Sequence, residues 1–272
     1  MARLLRVQFP GAIYHVAIRG NNRRVLFLDD DDRRRFLARL GECSEEFGIR
    51  LYIFCLMTNH VHLVLETPQA NLSQFMHKLE TAYTVYFNLK HNESGHLLQD
   101  RFGAWPVAED EYLLKLSRYV HLNPVYVGKF RNLDLKERIA ELRRYRWSSY
   151  RSYIGKDRPL KYVEYGPMLG FMKGNAGRKR REYRKFVESG LAETDEELAE
   201  IMEESRLSIG GSEFQDKIKE MHDNLLMGRK RKEDALFRRQ AGRLAADEIL
   251  NTICREMKIE RSVITERRRG NW

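Results

Sequence analysis

Cysteine is scarce in this chain, with three among 272 residues. Cys43, Cys55 and Cys254 are odd in number and widely spaced, which excludes both a disulfide scaffold and a CxxC metal clasp. Long apolar runs are missing as well. The longest, such as residues 51–57, fall far short of the roughly 20 residues that a bilayer-spanning helix requires, so no membrane span is expected. The opening Met1-Ala-Arg-Leu-Leu-Arg lacks the apolar stretch of about 7–15 residues that marks a secretory signal, which points to a cytoplasmic protein. No internal repeat is visible. What the chain does hold is apolar mass: 42% hydrophobic residues, with 13 Tyr, 13 Phe and 3 Trp. A charged fraction of 32% is high without being the profile of a disordered chain, and the length suits one main domain with an appendage.

Charge is the first positive clue. Lys and Arg number 49 against 39 Asp and Glu, a net charge of +10. Such a balance either suits a polyanionic partner, most simply nucleic acid, or only aids solubility. The charge is clustered: residues 228–272 hold thirteen basic and seven acidic residues, six of the ten net positive charges. That stretch, with Arg229, Lys230, Arg231 and Lys232 at its head, is a separate electrostatic unit.

Alternation over residues 12–19, ending at Gly20-Asn21-Asn22, reads as a strand and a turn. The run Asp29 to Asp32 supplies N-cap residues for a helix over 33–47, with Phe36, Leu37, Leu40 and Cys43 at helical spacing and Gly48 closing it. Two β-rich runs, 49–57 and 60–66, flank Thr58-Asn59 and form a hairpin. A second helix follows over 72–88. Residues 97–107 read as a short strand pair or an extended loop. A third helix opens at residues 109–111 and is expected to end near Leu122, since Pro124 disfavours a helical residue before it. The order β-α-β-β-α predicts an α+β fold, an antiparallel sheet with helices on one face, in a split β-α-β or ferredoxin-like arrangement. Beyond Gly155 the composition turns helical.

Residues two apart on a strand share a face, so His60 and His62 project together while Val61, Leu63 and Leu65 face the other way. Two imidazoles on one face are half of a metal site, or simply two surface or core histidines. On the third helix Tyr119 and Asn123 stand four residues apart and therefore on one face, where a phenol and an amide could meet one cation; Tyr119 read alone fits better as a core tyrosine of an amphipathic helix. His121 faces away from Tyr119. His15, in the first strand, is structural or a contact to a substrate backbone. Arg19, Asn21, Asn22 and Arg23 form a polar, basic turn suited to phosphate or to solvent. Arg101, Phe102 and Trp105 mix charge with rings, as single-strand binding surfaces do and as core packing does.

Five blocks carry a resemblance. They are Gly11-Ala-Ile-Tyr-His-Val-Ala-Ile-Arg-Gly-Asn-Asn-Arg23, Met57-Thr-Asn-His-Val-His-Leu-Val64, Leu97-Leu-Gln-Asp-Arg-Phe102, Tyr112-Leu-Leu-Lys-Leu-Ser-Arg-Tyr-Val-His-Leu-Asn-Pro-Val125 and Tyr145-Arg-Trp-Ser-Ser-Tyr150. In order and spacing over residues 2–155 they resemble the IS200-like single-tyrosine (HUH) transposases, and among them the branch associated with repetitive extragenic palindromes (REP). The resemblance implies that His60, His62 and Asn123 bind a divalent cation, Mg²⁺ or Mn²⁺. It implies that the Tyr119 phenolate attacks single-stranded DNA near a hairpin to give a 5′-phosphotyrosine and a free 3′-hydroxyl. Arg19, Asn21, Asn22, Arg23, Arg101, Trp105 and Arg229 to Lys232 are the candidate DNA contacts. A catalytically silent hairpin-binding or regulatory protein of the same fold is the alternative.

The resulting division is a nuclease domain over 1–155, a helical extension over 156–227 and a basic helical tail over 228–272. In the tail, residues 245–269 resemble the opening helices of the DNA-binding domain of the bacterial replication initiator, a partial helix-turn-helix; a basic amphipathic helix without reading ability is the competing view. A bacterial, nucleoid-associated cytoplasmic protein is expected, as monomer or homodimer.

Overall fold

The structure, a computed structural model, describes residues 5–99, 101–108, 111–127, 130, 132–192 and 207–241. The chain falls into two units, residues 6–220 and a second formed by residues 1–5 and 221–272. The initiator-like stretch 245–269 lies outside the described residues. The first unit runs through β1 (Ala12–Arg19), α1 (Asp30–Glu46), β2 (Arg50–Leu56), β3 (His60–Thr67), α2 (Leu72–His91), β4 (Gly103–Val107) and α3 (Glu111–Tyr126). It continues with α4 (Leu135–Arg144), α5 (Tyr150–Tyr153), α6 (Gly166–Gly170) and α7 (Ala176–Ser189), and α8 (Ser212–Ala241) spans the boundary in sequence.

The four strands form one antiparallel sheet in the order β2-β3-β1-β4. This is the α+β, ferredoxin-like arrangement expected from the β-α-β-β-α order. The turn between β2 and β3 closes with Met57 N–H donating to His60 O at 2.8 Å. α1 starts where the aspartate run predicts: the Asp29 side chain accepts from Asp32 N, Asp32 reciprocates, and this capping box satisfies donors that the first turn leaves open. The wholly buried Asp32 carboxylate also takes Lys90 at 2.8 Å and His91 at 3.0 Å, tying the start of α1 to the end of α2.

Two expectations are corrected. Helices cover both faces of the sheet, not one. β1 and β3 are buried on alternate residues of both parities. Tyr162 lies against Gly41 of α1 and 6.5 Å from the Phe54 ring on one face, whereas α3 lies over the face bearing His60 and His62. A sheet buried on both sides needs two covering layers. The second correction is the end of α3, which runs on through Pro124 to Tyr126. A proline inside a helix removes one N–H and crowds the turn before it; within the last turn that amounts to one missing hydrogen bond, and Leu122, Asn123 and Val125 stay buried. Asn123 therefore keeps helical geometry and remains one turn from Tyr119.

Both outer strands are engaged by later chain. On β2, Leu56 N–H donates to Trp147 O at 2.8 Å, Phe54 O accepts from Ser149 N–H at 3.0 Å, and Leu51 O accepts from Glu164 N–H at 2.8 Å. On β4, Ile209 N–H donates to Pro106 O at 2.7 Å and Ala108 N–H to Ile209 O at 2.8 Å.

Candidate active site

Strand register assembles the site. Arg19 of β1 stands opposite His60 of β3, Ala17 opposite His62, and His15 opposite Trp105 of β4; residues directly paired share a face. The small side chain of Ala17 leaves His15 and His62 free to meet diagonally, Nε2 of the first 2.9 Å from Nδ1 of the second, with rings stacked at 5.2 Å. Trp105 stacks on His15 at 5.5 Å. The His60 and His62 rings lie 4.9 Å apart and perpendicular. Above them α3 brings Tyr119, whose ring centroid is 6.0 Å from that of His62. One turn on, Asn123 Oδ1 lies 3.4 Å from His60 Nε2.

Burial sets the protonation of this cluster. Desolvation pushes His15 down to about 4. It holds His62 well below the ordinary imidazole value, with His15, His60 and Arg19 adding repulsion in the same direction. His60 is lowered by desolvation, opposed by the nearby Asn123 side chain. All three rings are thus neutral at pH 7. Desolvation raises the Tyr119 phenol, while a hydrogen bond from Asn123 and the charge of Arg19 favour its ionised form.

The donor set fits a divalent cation. Asn59 donates its amide N–H to Arg23 O at 3.3 Å, which turns Asn59 Oδ1 toward His60 Nδ1 at 2.8 Å. The His60 proton therefore sits on Nδ1, and Nε2 keeps its electron pair. That pair faces Asn123 Oδ1 at 3.4 Å, and a divalent cation held between them would accept from both. A ligating imidazole that donates through its other nitrogen is a recurring arrangement. His62 can do the same, donating from Nδ1 to His15 Nε2. Among the described residues no three His, Cys, Asp or Glu side chains group to hold a metal ion; the further oxygen donor beside His60 is the Asn123 amide, 3.4 Å from Nε2.

Beside His60 opens a groove of about 480 Å³ lined by Arg19, Arg23, Thr58 and Asn59 among others. Asn21 to Arg23 form a short 3-10 turn with Asn22 and Arg23 both at positive φ, 50° and 60°. Gly20 N–H is latched to Asn59 O at 2.9 Å. A Cβ on Gly20 would lie 2.2 Å from Arg24 O, so only glycine fits there. Of the residues singled out from sequence, His60, His62, Tyr119, Asn123, Arg19, Arg23 and Trp105 share this region. Arg101 is exposed and lies near Arg6, whose guanidinium is lowered to about 10 by burial first and by the charge of Arg101 second. Arg229 to Lys232 fall in α8, with side chains outside the described residues. His15 was undervalued by sequence: its partner is set by the pairing of β1 with β3, which no local spacing encodes.

A family described as IS200-like transposases matches residues 8–123. No curated protein matches the chain. Among solved structures, a REP-associated tyrosine transposase bound to a REP hairpin is similar over 60% of this chain and 98% of its own, at 14% identity and a TM-score of 0.48. The crystal structure of a candidate transposase from Deinococcus radiodurans r1 is similar over 44% of this chain and 95% of its own, at 19% identity and a TM-score of 0.32.

Proposed function

We propose that the protein, whose residues 8–123 match the IS200-like transposase family, cleaves and rejoins single-stranded DNA near hairpins, with Tyr119 as nucleophile and Mg²⁺ or Mn²⁺ held by His60, His62 and Asn123. The observation that carries this reading is the double engagement of Asn123. Its oxygen lies 3.4 Å from His60 Nε2, and it stands one helical turn from Tyr119, whose ionised form it favours, so one side chain adjoins both ligand set and nucleophile.

A bound cation would polarise a non-bridging phosphate oxygen and supply Lewis-acid stabilisation. The remaining work falls to the chain. Arg19 and Arg23 line the groove where an anionic backbone would lie, and Arg19 also favours the phenolate. Tyr119 Oη forms a bond to phosphorus as the P–O3′ bond breaks. The phenol gives up one proton and the 3′-oxygen gains one. Because the phosphotyrosine retains a phosphodiester bond, attack by another 3′-hydroxyl reverses the step without ATP. Tyr119 is half-buried, with the His15 and His62 rings 6.3 and 6.0 Å away, which would limit water at the ester and favour transfer over hydrolysis.

The test is incubation with end-labelled single-stranded hairpin oligonucleotides and Mg²⁺, Mn²⁺ or chelator, followed by a denaturing gel. A covalent adduct is expected with metal and not with chelator, and Tyr119→Phe should abolish it while binding persists. Adducts surviving in that variant would exclude Tyr119. Tight binding with no adduct under any metal would favour the silent hairpin-binding alternative.

A further inference from the structure

We propose that the outward face of α7 is a docking surface for the phosphate backbone of duplex DNA, the stem of the hairpin whose single-stranded flank the active site cleaves; this rests on the transposase reading above. α7 carries six basic residues in fourteen, Arg178, Lys179, Arg180, Arg181, Arg184 and Lys185. Its inner stripe is Tyr183 and Val187, both fully buried. On the opposite side Arg178, Arg181 and Lys185 are exposed, and their spacing of three and four places them in one row.

The row is uncompensated in a way that the arginines of α1 are not. On α1, Arg34 pairs with Asp31 at 2.7 Å and Arg39 with Glu42 at 2.5 Å, so that helix neutralises its own surface. On α7, Glu188 turns inward to Arg143 at 2.6 Å. Among the described residues Arg178 and Arg181 have no ion-pair partner, and Lys185 has only an exposed contact with Glu182 at 3.3 Å, which water screens.

The occupant follows from what the row lacks. Single strands are held by stacking bases on rings, and the rings of α7 point inward: Tyr183 to His121 of α3, Phe186 beneath Arg118 at 4.7 Å. A duplex presents phosphates outward and hides its bases, so a row of cations without rings suits a stem. Seven residues of helix span about 10 Å, enough for the row to meet more than one phosphate of a strand. The surface is also fixed relative to the proposed nucleophile. Tyr183 Oη meets His121 Nδ1 at 2.9 Å and Ser117 Oγ at 3.0 Å, both on the helix that carries Tyr119. A stem on α7 would hold its flanking strand at a set offset from the site.

The test uses the full chain with Arg178, Arg181 and Lys185 all changed to Gln. Affinity is measured against salt for a hairpin with a single-stranded flank and for an unpaired strand of equal length. The expected result is hairpin binding weakened about tenfold or more at low salt and a slope of log K against log salt reduced by about two to three, with unpaired-strand affinity within about twofold of wild type. A charge-keeping variant, R178K/R181K/K185R, should retain hairpin binding, which separates charge from folding. An unchanged hairpin slope, or an equal loss on the unpaired strand, overturns the proposal. Wild-type protein that binds no hairpin at all would refute the transposase reading itself.

Discussion

Tyr119 is a phenol placed where ionisation is difficult, and its helpers are a neutral amide and one arginine rather than a carboxylate. That pairing suits a nucleophile whose charge develops only as the phosphorus bond forms. The histidines beneath it were legible in sequence because a strand repeats every two residues, so His60 and His62 had to share a face once β3 was recognised. Asn123 was legible from the helical four-residue step. His15 was not, since its role depends on strand register. A residue remote from the site gives a test of the interior electrostatics. Burial raises the Glu80 carboxyl to about 7, only partly offset by Arg6. The folded state keeps the proton longer than the unfolded chain, so its contribution is favourable below about pH 4.5 and is lost as pH rises to about 7. Glu80→Gln should therefore raise unfolding free energy by about 2 kcal/mol at pH 8 and by little near pH 4.5, as read by urea titration at both values. An equal gain at both pH values would count against this account.

At the scale of elements, α3 faces two ways. Toward the sheet it presents Tyr119 and Asn123. Away from it, His121 is fully buried, bonded to Ser149 Oγ at 2.9 Å and to Tyr183 Oη at 2.9 Å. Removing the phenolic hydroxyl leaves His121 Nδ1 with no partner in a dry site, which costs about 1–3 kcal/mol. Tyr183→Phe should lower the urea midpoint accordingly with an unchanged m-value; a neutral result would mean the bond contributes nothing. Sequence spacing located the elements well: β1 was expected at 12–19 and is found there, and the aspartate run marked the start of α1. It misjudged the end of α3 because the rule for the residue before proline weighs local sterics alone. Burial of Leu122, Asn123 and Val125 outweighs that local preference.

Across the molecule, the family match ends at residue 123, yet the packing continues. Val163, Met168, Tyr183 and Val187 belong to the same hydrophobic core as the strands, and Tyr153 Oη donates to Tyr52 O at 2.9 Å. A chain cut after Gly155 would expose these partners and leave His121 without Tyr183. It is expected to lose several kcal/mol of unfolding free energy, seen as a lower urea midpoint or as aggregation; unfolding matching the full chain would show that residues 1–155 close their own core. Composition could announce a helical stretch beyond Gly155 but not that one of its helices would brace α3, because the contacts are made by isolated side chains without a motif.

The engagement of the outer strands bears on how two copies can meet. Open sheet edges invite another chain to add a strand, the commonest route to runaway association in β-rich proteins. Here the outward groups of β2 at Leu51, Phe54 and Leu56 are taken by residues 147–149 and 164, and β4 is short, carries Pro106 and is met by Ile209. Self-association that extended the sheet along β2 would first have to peel those segments away. Side chains, not backbone ladders, are left to make any contact between copies there.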